Sequence, residues 1–348
     1  MSDLVPTVDL SPWFAGNDAD RRRVAAELDD ACRQVGFLQV VGHGIGTATI
    51  DAMRAATDEF FALPIEAKRH AMPSHPGINR GYAPLGSEAL SYSIGVDAPR
   101  PDLFEAFNIG EVDTTDDPWY HDPYDFFAGN IWPPEVPALR PALEAYFRDA
   151  RRVALTMTDI FSVALDLGEQ WFRPHVDRST TTMRVNNYEH RAGDPLPEPG
   201  QMRMGAHTDY GVVTVLHADP VPGLEIIGPD GDWCPVVPTP GALVLNLGDL
   251  LAEWSNDQWR STIHRVVPPP VDASGSSKRR SVAFFFDANY DATIECLPTC
   301  CSADRPPRYP AVVAGEHLMA KIMGPRRFEP TTATVNTAVG RLTTDLPS

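Results

Sequence analysis

Between residues 181 and 287 the chain offers a run of short strand candidates, at 181–188, 203–208, 212–217, 223–227, 233–237, 242–247, 261–267 and 280–287. The breaks between them are rich in Gly, Pro and Asp, as in PLPEPG and VVPPPVD, where proline cannot interrupt a ladder. Strands this short bury too little surface singly. At this spacing they must pair and close into a sandwich or barrel.

The preceding segments read as helix and loop. Residues 5–10 alternate like an edge strand, and Asp18 to Val35 carries Val24, Ala25, Leu28, Ala31 and Cys32 at helical spacing. A strand bounded by glycines follows at 36–42, then a helix from Ile50 to Leu63, stopped by Pro64. Residues 73–102 and 112–137 read as loops around a strand at 104–109. From Pro141 to about Leu167, Leu143, Phe147, Ala150, Ala154, Met157, Phe161 and Leu165 recur every three or four residues, so one face of a long helix is buried. Residues 311–323 read as a last helix. The fold class expected is mainly β with flanking helices.

Composition narrows the partners. With 29 Lys+Arg against 47 Asp+Glu the net charge is −18, which repels phosphate backbones and anionic membranes and favours solubility. The opening MSDLVPTVDLSPWF lacks the basic and apolar regions of a secretory leader, and no apolar run has the length of a membrane span. Five sparse cysteines do not form a disulfide framework and suit a reducing cytoplasm. Cys296, Cys300 and Cys301 lie close together, but no CxxC pair accompanies them, so a thiolate metal site is not expected. A monomer is expected.

Side chains two apart on a strand point the same way, so His-x-Asp brings an imidazole and a carboxylate to one point. A distant second His would complete the two-His-one-carboxylate set of non-haem iron oxygenases, which leaves one face of the metal open. The pair alone decides little here, because there are three: His175/Asp177, His207/Asp209 and His217/Asp219. His175 lies between the long helix and the first barrel strand, where a capping or surface role fits. His217 alternates with Val213 and Val215 and reads as a packed barrel residue. His207 sits at a strand end, where a ligand can reach it. Downstream, His264 lies on a strand in STIHRVV, and Arg279 and Ser281 share a strand face on which a guanidinium and a hydroxyl could grip a carboxylate. Arg280 points the other way and reads as part of a basic surface turn.

At these residues the chain resembles the isopenicillin N synthase-like group of Fe(II)/2-oxoglutarate-dependent dioxygenases. The resemblance runs in order through VPTVDLSPW, GFLQVVGHGI, RGYAPLGSE, LFEAFNIG, MRVNNY, GAHTDYGVVTVL, GLEI, GALVLNLGDLLAEWSN, STIHRVV and RRSVAFFFD. It implies a double-stranded β-helix, or jelly-roll, core. It divides the chain into an N-terminal α/β region (1–120), a long-helix segment (121–175), the oxygenase core (176–300) and a C-terminal helix and tail (301–348).

The resemblance assigns Fe(II) to His207, Asp209 and His264, and the 2-oxoglutarate carboxylate to Arg279 and Ser281, with Asn186 and Tyr188 also touching that co-substrate. Phe285, inward by alternation with Ser281, is a candidate pocket wall; Tyr82 and Phe107 are pocket candidates by resemblance alone. Departures are the long proline-rich loop between His264 and Arg279, and Arg280 where an apolar residue is usual. The implied reaction consumes O2 and 2-oxoglutarate, releases succinate and CO2, and hydroxylates a small molecule, with desaturation or cyclisation as variants. Asp209 fills the carboxylate position, so halogenation is not expected. Two alternatives are an Fe(II) oxidase of the isopenicillin N synthase type, which needs no 2-oxoglutarate, and a non-catalytic ligand-binding barrel.

Overall fold

A computed structural model describes residues 4–75, 77–95, 100–114, 116–194, 197–268 and 277–327. In chain order the first elements are β1 (Thr7–Asp9), α1 (Ser11–Ala15), α2 (Asp18–Gln34), β2 (Phe37–Val41), α3 (Thr47–Ala62), α4 (Ile65–Lys68), β3 (Gly81–Ala83), β4 (Glu105–Ile109), α5 (Leu139–Ala164) and α6 (Arg173–Val176). The barrel strands are β5 (Thr182–His190), β6 (Met204–His207), β7 (Val213–Ala218), β8 (Leu224–Ile227), β9 (Trp233–Pro235) and β10 (Leu243–Leu247); α7 (Asp249–Trp254) precedes β11 (His264–Val266) and β12 (Ser277–Phe286). Then come β13 (Thr293–Ile294), β14 (Val312–Val313) and α8 (Ala314–Arg327).

Strands β1 to β12 form a jelly roll of two sheets, while β13 and β14 pair separately. The large sheet has the order β1-β2-β10-β7-β12-β5-β4-β3 and the small one β6-β11-β8-β9. Two apolar clusters join the sheets. Phe37 and Val244 of the large sheet meet Leu224 and Ile226 of the small one. Elsewhere Phe104, Ala106 and Tyr188 meet Met204 and Val266.

Alternation sorts the large sheet into two faces. Val282, Phe284, Val213, Val215 and Leu245 face outward into the main core, where α2, α3 and α5 pack. The long helix buries its expected face, with Leu143, Phe147, Ala150, Ala154, Met157 and Phe161 all buried, and Phe147 edge-on to Phe284 at 5.0 Å. Asn17 caps α2 in a reciprocal box with Asp20, each side chain accepting from the other residue's backbone N–H.

Several elements depart from expectation. The segment 73–102 contains β3, three residues that are a strand only because they pair with β4. The helix α3 begins at Thr47, three residues early. β12 starts at Ser277, so its ladder with β5 reaches His190. Residues 312–313 form β14 rather than helix, and α8 runs on to Arg327 through Gly324 and Pro325. The tail at 328–348 lies outside the described residues.

Candidate active site

The small sheet sets the first side chains. β6 and β11 run antiparallel with His207 directly opposite His264, and the two rings lie 4.3 Å apart between centroids. Two residues past β6, the chain turns and brings Asp209 to both. Its Oδ1 lies 3.8 Å from His207 Nε2 and 3.6 Å from His264 Nε2. All three side chains are buried.

The rings are held from behind. His207 Nδ1–H donates to the Gly205 carbonyl at 2.7 Å and His264 Nδ1–H to that of Thr262 at 3.1 Å. Each Nε2 therefore turns a lone pair toward Asp209. The other carboxylate oxygen of Asp209 accepts from Asn246 Nδ2 at 2.6 Å and from the Thr214 hydroxyl. Burial, then the neighbouring His264, push the His207 imidazole down to about 4, so it stays neutral near pH 7. Two imidazoles and one oriented carboxylate with donor atoms within 4.8 Å of one another fit a divalent metal of the imidazole-carboxylate type.

The large sheet sets the second group. Arg279 lies opposite Tyr188, and Ser281 opposite Asn186, on the inward face. The Arg279 guanidinium carbon sits 5.3 Å over the Tyr188 ring, and Nε donates to the Val221 carbonyl at 3.3 Å. Nη1 is buried with no hydrogen-bond partner among the described residues. A buried cation with an unused donor fits an incoming carboxylate. Asn186 donates to Ser281 Oγ at 3.4 Å and accepts from Arg184 Nε at 3.1 Å. Arg280 is not on a surface turn: it is buried against α3, over the Phe61 ring at 4.8 Å, and its Nη2 donates to Asn187 at 3.0 Å.

A cavity of about 1070 Å³, counting the space at its open mouth, reaches His207 and Asp209. Phe285 lines it, together with Arg184, Thr182, Met204, Asp287 and, from α8, Leu318 and Ile322. Tyr82 and Phe107 do not line it. Phe107 pairs with Val185 on the outward face, and both rings pack on Phe60, at 5.9 and 4.8 Å. The Tyr82 hydroxyl donates to Glu105 at 2.6 Å. These two are core residues.

The other His-x-Asp pairs are occupied elsewhere. His175 stacks on Trp171 at 4.7 Å, and Asp177 accepts from Asn289. His217 faces Tyr146 of α5 at 6.4 Å, while Asp219 accepts from the Arg280 backbone and pairs with Arg54.

Sequence reasoning passed over Thr214, Asn246, Arg184 and Asp287. A signal existed for two of them: Arg184 shares the face of Asn186 and Tyr188, and Asp287 continues the column Arg279, Ser281, Phe285. The contribution of α8 had none, since it is a purely tertiary contact.

Residues 5–135 match the family described as the N-terminal part of non-haem dioxygenase in morphine synthesis, and residues 180–288 match the 2OG-Fe(II) oxygenase superfamily. Among curated proteins, the 2-oxoglutarate-Fe(II) type oxidoreductase hxnY of Emericella nidulans is 34% identical over 88% of this chain and 86% of its own. The validamycin A dioxygenase of Streptomyces hygroscopicus subsp. limoneus is 33% identical over 92% of this chain and 86% of its own. Among solved structures, full-length T7H of Neurospora crassa in complex with alpha-KG superposes with a TM-score of 0.80 and 27% identity, covering 92% of this chain and 96% of that one. Both halves are matched in chain order and the relatives extend across nearly the whole length, so the chain belongs to the 2OG-Fe(II) oxygenase superfamily and is an Fe(II)- and 2-oxoglutarate-dependent oxygenase.

Proposed function

We propose that this oxygenase hydroxylates a small organic molecule, with iron held by His207, Asp209 and His264 and the distal carboxylate of 2-oxoglutarate held by Arg279. The observation that carries the reading is the buried Nη1 of Arg279, without a partner among the described residues and on the same inward face as Ser281, in a chain that also brings three metal-type donors together. Names of relatives point to small substrates: validamycin A for one and homoarginine for another.

When bound, Fe(II) and 2-oxoglutarate supply O2 activation coupled to decarboxylation of the keto acid to succinate and CO2. The chain's own residues do the rest. Thr214 and Asn246 fix which oxygen of Asp209 is free. Gly205 and Thr262 carbonyls hold the imidazoles as Nε2 donors. Arg279, stacked on Tyr188, gives the co-substrate one orientation, with Ser281, Asn186 and Tyr188 beside it. Phe285 and the apolar side of α8 keep bulk water from the cavity end where substrate would meet the metal.

Three further readings belong to the proposal. The core at 176–300 is supported by β5 to β12 all falling within it, with the α/β region, the long-helix segment and the C-terminal segment around it. A cytoplasmic setting is supported by five free cysteines. The same setting suits a chain in which no described helix is long and apolar enough to cross a membrane. A monomer is the simplest assembly proposed, since one chain supplies His207, Asp209, His264 and Arg279 together. The test is anaerobic addition of 2-oxoglutarate to the Fe(II) protein. A visible charge-transfer band, followed by succinate on admitting O2, is expected. Bound iron without the band would instead support the co-substrate-free oxidase.

A further inference from the structure

The inward column of β12 reads Arg279, Ser281, Ala283, Phe285 and then Asp287. At about 3.3 Å per residue, Arg279 and Asp287 stand roughly 26 Å apart, so the carboxylate anchor and this acid occupy opposite ends of one strand face. Asp287 lies in the wall of the cavity and is only 7% exposed. Among the described residues no donor reaches its carboxyl. Burial, then the nearby charge of Asp209, push the acid up to about 7.

Most other charges of the cavity wall are paired, although Arg184 Nη2 and the Tyr210 hydroxyl have no hydrogen-bond partner among the described residues. Glu88 accepts from Arg184 Nη1 at 2.9 Å and also faces Arg326. Arg80 donates to the carbonyls of Asn79, Phe126 and Ala128. Asp287 is the carboxylate of the cavity wall that is buried with no donor among the described residues, and the chain makes room for it. Its Oδ1 lies 1.5 Å from where a Cβ on Gly211 would stand, so only glycine at 211 lets the carboxyl take this position.

A buried carboxyl without a partner is costly and calls for an explanation, and a ligand that completes it is one. We infer that Asp287 is a specificity-determining residue that accepts a hydrogen bond from a nitrogen-bound hydrogen on the primary substrate. The class includes charged ammonium or guanidinium groups and neutral lactam or imide N–H groups. This inference rests on the proposed function, since it places the substrate at the end of the barrel away from Arg279.

The test loads the protein with Fe(II) and 2-oxoglutarate under nitrogen and measures binding by thermal shift and calorimetry. Probes are matched pairs: butylammonium against butyltrimethylammonium, and 2-piperidone and succinimide against their N-methyl forms. The N–H member of at least one pair should bind about tenfold tighter or more, the value of a charge-assisted or buried hydrogen bond. Asp287→Asn should abolish that preference for ammonium and reduce it less for the neutral ring N–H, because an amide oxygen still accepts. Gly211→Ala should mimic Asp287→Asn by displacing the carboxyl. The pair that discriminates names the kind of nitrogen. The inference is overturned if N–H and N-methyl members bind alike, if no probe binds, or if both variants keep the wild-type preference. Should Asp287→Asn fail to fold, Gly211→Ala and the wild-type pairs still decide. Absence of the 2-oxoglutarate band would instead count against the proposed function, whereas a normal band without N–H discrimination sinks only this inference.

Discussion

Thr214 and Asn246 meet on one oxygen of Asp209 while the two histidines face the other. A strand neighbour from β7 and one from β10 thus decide the orientation of a carboxylate that sits on neither strand. Removing either donor frees the carboxylate to rotate. Thr214→Val should weaken Fe(II) affinity about 10- to 100-fold with little change in fold, the usual effect of losing a partner behind a ligand. Titration against a competing chelator measures it, and unchanged affinity would argue against this division of the carboxylate.

Arg279→Leu should weaken 2-oxoglutarate binding by about 3 kcal/mol, roughly 150-fold, and leave metal affinity in place. Arg279→Lys should recover only part, because a point charge cannot reproduce the planar fork. The dissociation constant read from the charge-transfer band decides the matter.

Asp102 gives a pH signature of stability. It accepts from the backbone N–H groups of Leu90 and Gly205, at 2.8 and 2.9 Å, yet burial dominates and pushes it up to about 6. The folded chain therefore keeps a proton that the unfolded chain, with an ordinary value of 3.8, has released. The contribution to stability is complete below pH 3.8 and is lost as pH rises through 6, by about 3 kcal/mol in all. In melts from pH 4.5 to 7.5 the wild type should lose stability relative to Asp102→Asn as pH rises. Parallel curves would place the titration elsewhere.

Lys321 of α8 is wholly buried, and its Nζ donates to Asp249 Oδ2 at 2.5 Å. The same oxygen accepts from Thr208, the residue between His207 and Asp209, at 2.9 Å. Lys321→Met removes the Lys321 charge that faces Asp249 and should cost about 3–5 kcal/mol in denaturant unfolding. It should also lower metal affinity, because the strut behind the metal-binding turn is lost. The double variant Lys321→Met, Asp249→Leu should recover much of the stability.

The barrel strands were legible because alternation and proline-rich breaks are local signals. β5, β7, β10 and β12 all lie within a few residues of their expected places. The metal-type triad needed more, since one of three equivalent His-x-Asp pairs had to be chosen, and family resemblance supplied the choice. What escaped was tertiary. β3 is a strand by pairing alone. Arg280 reads as surface in a KRR run but is buried because α3 supplies Thr57 and Asp58 to its guanidinium. Tyr82 and Phe107 were assigned to the pocket by resemblance, although parity with Val185 already places Phe107 on the outer face.

The register of β10 with β2 ties Leu243 to Val40, across about two hundred residues of chain. β4 likewise flanks β5 from a distant stretch. Both borders of the large sheet's central strands are therefore closed by segments made much earlier, a topology of high contact order that folds slowly. A fragment cut at residues 176–300 would present β10 and β5 as bare ladders, each a template for a stranger's strand. It should aggregate rather than bind metal. The N-terminal third thus acts as the barrel's hem, and trimming a gene to its catalytic motifs would unravel what those motifs depend on.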